Sequence, residues 1–109
     1  MFNLFNRKDI NNGVEEYKNT NGAKLIDVRE IDEYSRGRIP ESINIPLSNL
    51  EKIKSIVKDK DVPLFIYCLS GGRSANATSL LKLMGYTNVN DIGGINSYKG
   101  EIEKWKLWL

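Results

Sequence analysis

Val62-Pro63-Leu64-Phe65-Ile66-Tyr67-Cys68-Leu69-Ser70-Gly71-Gly72-Arg73-Ser74 decides how this chain is read. Residues 62–67 are apolar throughout, which predicts a strand covered on both faces rather than a half-exposed one. Ala77, Leu80, Leu81 and Met84 then recur at i, i+3, i+4 and i+7, the spacing of one helix face, and Gly85 supplies a C-terminal stop. The segment is therefore a strand, a short loop and a helix, with Cys68 at the end of the strand. Gly71 and Gly72 permit backbone conformations that other residues avoid. A loop running from a strand into a helix N-terminus can turn successive N–H groups inward as an anion-binding nest. A sulfur held there is stabilised as a thiolate by backbone dipoles and by Arg73. A lone cysteine ending an apolar strand is more often a small buried hydrophobe. The Gly-Gly-Arg-Ser continuation argues for the reactive reading.

Outward from this stretch, the order of elements is that of an α/β domain with a mainly parallel sheet of about five strands flanked by helices. Asp9 is a candidate N-cap for a helix through Val14 and Tyr17, weakened by Gly13 and ended by Asn19 to Gly22. Leu25, Ile26 and Val28 predict a strand, Ile31 to Tyr34 one or two helical turns, and Ile43-Asn44-Ile45 a short strand closed by Pro46. Ser48 to Val57 predicts an amphipathic helix on Leu50, Ile53 and Val57, and Val89 to Ile92 a last strand before Gly93-Gly94. At the C-terminus Ile102, Trp105 and Leu109 fit a helix and Trp105, Leu107 and Leu109 a strand; either way the segment is read as a packing latch.

The bulk numbers bound the function. The 109 residues, 40% of them hydrophobic, suit one domain over 1–109 with a modest core. No apolar run reaches the roughly 18 residues of a membrane span, and the N-terminus lacks the apolar centre of a secretory signal, so the expected compartment is cytoplasmic. A formal charge of +2, with lysines interspersed among acids, gives no nucleic-acid footprint. One cysteine and no histidine leave no disulfide, too few ligands for zinc or iron–sulfur, and no Cys-His or Ser-His pair. No metal or cofactor is expected. A nucleophile here must be activated without imidazole.

CLSGGRS, residues 68–74, resembles the active-site loop of the rhodanese family, in which a cysteine opens a six-residue loop and receives a sulfane sulfur. LIDVREIDEYSRGRIPESINIP, residues 25–46, is similar to that family's early Asp-Val-Arg block, and DIGGINSYKG, residues 91–100, to its final Gly-Gly-Ile segment. The three blocks stand in family order. The resemblance implies a sulfurtransferase in which Cys68 is the persulfide-forming nucleophile and Leu69, Ser70, Gly71, Gly72, Arg73 and Ser74 form the substrate cradle. Asp27 and Arg29 would support it: Arg29 by pairing with Glu33, Asp27 by bonding loop amides or Arg73. The implied partners are a small-molecule sulfur donor such as thiosulfate and a thiol or cyanide acceptor, with a protein acceptor as a further possibility. Arg38, Glu41 and Tyr98 depart from the family's common histidine, glycine and tryptophan. Two alternatives stay open: a sulfur carrier or interaction module without turnover, and a cysteine phosphatase or arsenate reductase. The second is disfavoured because those loops place five residues between cysteine and arginine, and only four separate Cys68 from Arg73.

Overall fold

The computed structural model describes residues 9–104. Helix α1 is Ile10–Lys18, strand β1 Lys24–Asp27, helix α2 Ile31–Arg36, strand β2 Ile43–Asn44, helix α3 Ile53–Ile56, strand β3 Leu64–Cys68, helix α4 Gly72–Leu83 and strand β4 Val89–Gly94. The sheet is parallel throughout, in the order β2-β1-β3-β4. Four strands therefore stand among the described residues rather than about five. Of the C-terminal segment, the described residues contribute an isolated antiparallel bridge between Arg38 and Glu103. Ile102 lies in that extended stretch, so no helix begins there, and Trp105, Leu107 and Leu109 fall outside the described residues.

Alternation along the strands sorts the core into two layers. Leu25, Phe65 and Tyr67 face one side, where they meet Ile10 and Val14 of α1 and Ile92 of β4. Ile26, Val28, Leu64, Ile66 and Cys68 face the other, against Leu50, Ile53 and Val57 and against Ala77 and Leu81 of α4. All five residues of β3 are buried, as a strand with helices on both faces requires. Cys68 thus points to the α4 side by register.

Local chemistry explains the ends of these elements. The Asp9 carboxylate accepts from Asn12 N and caps α1. Gly13, whatever it costs in helix propensity, lets α1 seat against the sheet, since a Cβ there would run into Ile92 Cγ2. After α4, Gly85 at φ +99° turns the chain left-handed, and Gly85 N and Tyr86 N close back on Lys82 O and Leu81 O. The helix expected over 48–57 is kinked near its start: Asn49, at φ −127° and ψ 34°, leaves the helical region within the 3-10 segment Leu47–Lys52, and the chain then runs on through helical dihedrals at Lys52 and Ile53 into α3. Glu41, where the family favours glycine, takes φ +75°. No helix among the described residues is long and apolar enough to cross a membrane.

Candidate active site

The carboxyl ends of β1, β3 and β4 lie side by side, with Asp27 opposite Tyr67, Tyr67 opposite Gly93, and Cys68 opposite Gly94. Open parallel sheets present their sites on this edge. Between β3 and β4 the register slips after Ile66, so that Asp91 and Gly93, rather than adjacent residues, face Ile66 and Tyr67. Such a bulge re-aims the strand end. Here it brings Gly94 beneath the loop that leaves Cys68: a Cβ on Gly94 would stand 2.2 Å from Leu69 O and 2.6 Å from Ser70 Cα. Asn96 N then donates to Leu69 O at 3.1 Å and ties the loop to the chain beyond β4.

Gly71 takes φ +112°, a conformation that L side chains rarely adopt, and so turns the chain into α4. Gly72 is the first residue of that helix and has open space where its Cβ would be. Only one of the two glycines expected to be special is required by geometry. The turn points two amides at the sulfur: Gly71 N donates to Cys68 Sγ at 3.0 Å and Ser74 N at 3.3 Å. Cys68 is 1% exposed and belongs to the α4-side core, so its sulfur has hydrocarbon on one side and main-chain donors on the other. The fully buried Ser74 fixes the first turn of α4, its hydroxyl donating to Asp91 Oδ1 at 2.8 Å and lying 3.0 Å from Gly71 O. Asp91 Oδ1 also accepts from Gly93 N, joining the bulge to the loop. Leu69 and Ser70 are exposed at the loop tip.

The ion pairs exchange the partners that sequence spacing suggested. Arg29 does not pair with Glu33. Its Nη2 reaches Asp27 Oδ2 at 2.7 Å and Gly37 O at 2.7 Å, while Asp27 Oδ1 accepts from the Arg29 backbone N at 2.9 Å. Asp27 is fully buried, and this buried pair braces the turn after β1 rather than bonding Arg73 or the amides of the Cys68 loop. Arg73 takes Glu33 instead, in a two-pronged contact with Nη1–Oε1 at 2.7 Å and Nη2–Oε2 at 2.9 Å. Glu33 Oε1 also accepts from Glu30 N at the start of α2. The Arg73 hydrogen bonds outweigh the opposing effect of burial and hold the Glu33 carboxyl at about 2, against an ordinary 4.5. Beside the loop, Arg29, Glu33, Arg36, Gly37 and Leu69 line a depression of about 300 Å³.

Sequence reading missed Gly94, Asp91 and the true partner of Glu33. The Glu30-x-x-Glu33 spacing ahead of α2 was a visible capping signal for Glu33, and Gly93-Gly94 at a strand end was a visible sign of close backbone approach.

A parallel α/β sheet with a cysteine at its carboxyl edge, its sulfur met by two main-chain amides, defines the class: a domain built around one loop-held thiol. The profile of the rhodanese-like domain family matches residues 11–106, and the chain belongs to that family. It is 39% identical over 71 residues to the thiosulfate sulfurtransferase PspE of Escherichia coli, covering 64% of this chain and 68% of that one. It is 34% identical over 97 residues to the adenylyltransferase and sulfurtransferase uba4 of Ogataea parapolymorpha, covering 88% of this chain but only 25% of that longer protein. A solved structure of a rhodanese with anions from E. coli superposes with a TM-score of 0.71 at 35% identity, covering 75% of this chain and 98% of that one. Both of these relatives are named as sulfurtransferases.

Proposed function

We propose that this chain is a sulfurtransferase that carries sulfane sulfur on Cys68. The carrying observation is the pair of amides, Gly71 N and Ser74 N, aimed at Sγ from the N-terminal turn of α4. Main-chain donors there stabilise negative charge on sulfur without a histidine, at the end of the helix where the dipole favours an anion. In the first half-reaction the Cys68 thiolate attacks the outer sulfur of a donor such as thiosulfate. A Cys68–S bond forms, the donor's S–S bond breaks, and sulfite leaves with that electron pair. In the second, cyanide or a thiolate attacks the outer sulfur of the persulfide and the Cys68 thiolate is restored. Splitting the transfer in two predicts ping-pong kinetics.

Leu69, Ser70, Gly71, Gly72, Arg73 and Ser74 are the cradle in this reading, with Asp27 and Arg29 as scaffolding beneath it. The loop's lone arginine is held by Glu33, which speaks against a phosphatase, whose arginine closes on the bound anion. Incubating the protein with thiosulfate and weighing it by mass spectrometry tests the proposal. A gain of one sulfur atom on Cys68, lost on adding cyanide and absent in Cys68→Ser, is expected. Thiosulfate:cyanide turnover retained by folded Cys68→Ser would refute it.

A further inference from the structure

Around the loop, charge is conspicuously balanced. Each of the four arginines among the described residues has a carboxylate partner: Arg29 with Asp27, Arg36 with Asp32, Arg38 with Glu103 and Arg73 with Glu33. Arg73 is the only cationic side chain in the loop itself, residues 68–74, and it lies close enough to Cys68 and Asp27 for their fields to act on it. Glu33 meets its guanidinium with two oxygens, the pair is partly exposed, and Glu33 lines the depression that Leu69 also borders. Glu33 also stays ionised across the whole neutral range. The carboxylate is therefore a permanent negative charge set against the one loop cation that a dianionic donor would use.

We propose that Glu33 sets donor selectivity. By neutralising Arg73 it turns the site from thiosulfate towards persulfides of low net charge, R–S–SH. With such a donor the Cys68 thiolate attacks the outer sulfur, the Cys68–S bond forms, the donor S–S bond breaks and the thiolate R–S⁻ leaves with its electron pair. Glu33 acts through Arg73 and is a positioning residue, and the inference rests on the sulfur-transfer reading above.

The Glu33→Gln variant keeps an oxygen for Glu30 N and for one guanidinium nitrogen, but removes the charge. The measurement is the rate of Cys68 persulfide formation, by quenched mass spectrometry, against concentration of two donors: thiosulfate and cysteine persulfide, a zwitterion of low net charge. The ratio of second-order rate constants, thiosulfate over cysteine persulfide, is expected to rise roughly tenfold in Glu33→Gln, with a steeper fall of the thiosulfate rate as salt is added. Removing the cation as well, in Glu33→Gln/Arg73→Gln, is expected to return the ratio to the wild-type value or below. If Glu33 is only a brace, both rates fall together and the ratio does not move; that result, or a raised ratio surviving in the folded double variant, overturns the proposal. Folded wild-type protein that loads sulfur from neither donor defeats the sulfur-transfer reading itself, a failure separable from an unmoved ratio.

Discussion

Substituting Gly94 by alanine isolates the contact that seats the Cys68 loop on the sheet. At φ −126° and ψ 139° the backbone of Gly94 is ordinary extended chain, so alanine meets no conformational strain there. The whole effect is steric. The added Cβ would lie 2.2 Å from Leu69 O, 2.7 Å from Leu69 C and 2.6 Å from Ser70 Cα, all backbone atoms with no rotamer to yield. Restoring ordinary contact requires the loop to retreat by about 1 Å, and overpacking of this kind costs about 1–3 kcal/mol. The same retreat strains the Asn96 N–Leu69 O bond and carries Gly71 N away from Cys68 Sγ. Misplacing reacting groups by about 1 Å costs on the order of a hundredfold in rate. Urea unfolding followed by circular dichroism is therefore expected to show the modest stability loss. Steady-state sulfur transfer, measured where the variant is folded, is expected to fall by one to two powers of ten. Wild-type turnover in a folded Gly94→Ala protein would show that the loop's seat on β4 does not position the sulfur.

The other two predictions separate features that look alike in sequence. Gly71→Ala must place a side chain at φ +112°, whereas Gly72→Ala fills open space at a helical position. The first is expected to lose about 1–2 kcal/mol in chemical denaturation, together with most sulfur transfer. The second is expected to be neutral or to gain up to about 1 kcal/mol with transfer retained, and equal effects of the two would contradict the assignment of the turn to Gly71. The Glu33 carboxyl, held at about 2 against 4.5 when unpaired, makes the folded state more stable above about 4.5, and that contribution drains away as pH falls from there towards 2. The full shift corresponds to about 3 kcal/mol, which the partial exposure of the pair screens to about 1 kcal/mol. Unfolding curves of wild type and Glu33→Gln are therefore expected to differ by that amount at pH 7 and to converge near pH 2, and a constant gap across this range would contradict the pairing.

What the sequence made legible is what rests on periodicity, and what it hid is what rests on contact across the chain. The run 62–67 predicted a doubly covered strand because burial on both faces leaves no polar positions, and alternation then fixes Cys68 on the α4 side. The helix expected over 48–57 had the right apolar spacing, but spacing reports only which face is buried. It does not show that Asn49 would leave helical geometry, which kinks the segment within its opening 3-10 turn. The two glycines of the loop are identical as letters, and only the direction of the chain into α4 makes Gly71 necessary and Gly72 replaceable. The ion pairs show the same limit most sharply. Arg29 and Glu33, four apart, look like natural partners by helical spacing, yet Arg29 precedes α2 and turns back to the carboxylate two residues behind it. That leaves Glu33 for Arg73, a contact 40 residues distant that exists only because β1 and β3 are neighbours in the sheet and deliver α2 and the Cys68 loop to the same edge. The charge state of the loop is thus a property of strand order, and a reading from local motifs alone assigns Arg73 to a bound anion when the fold has already given it a carboxylate.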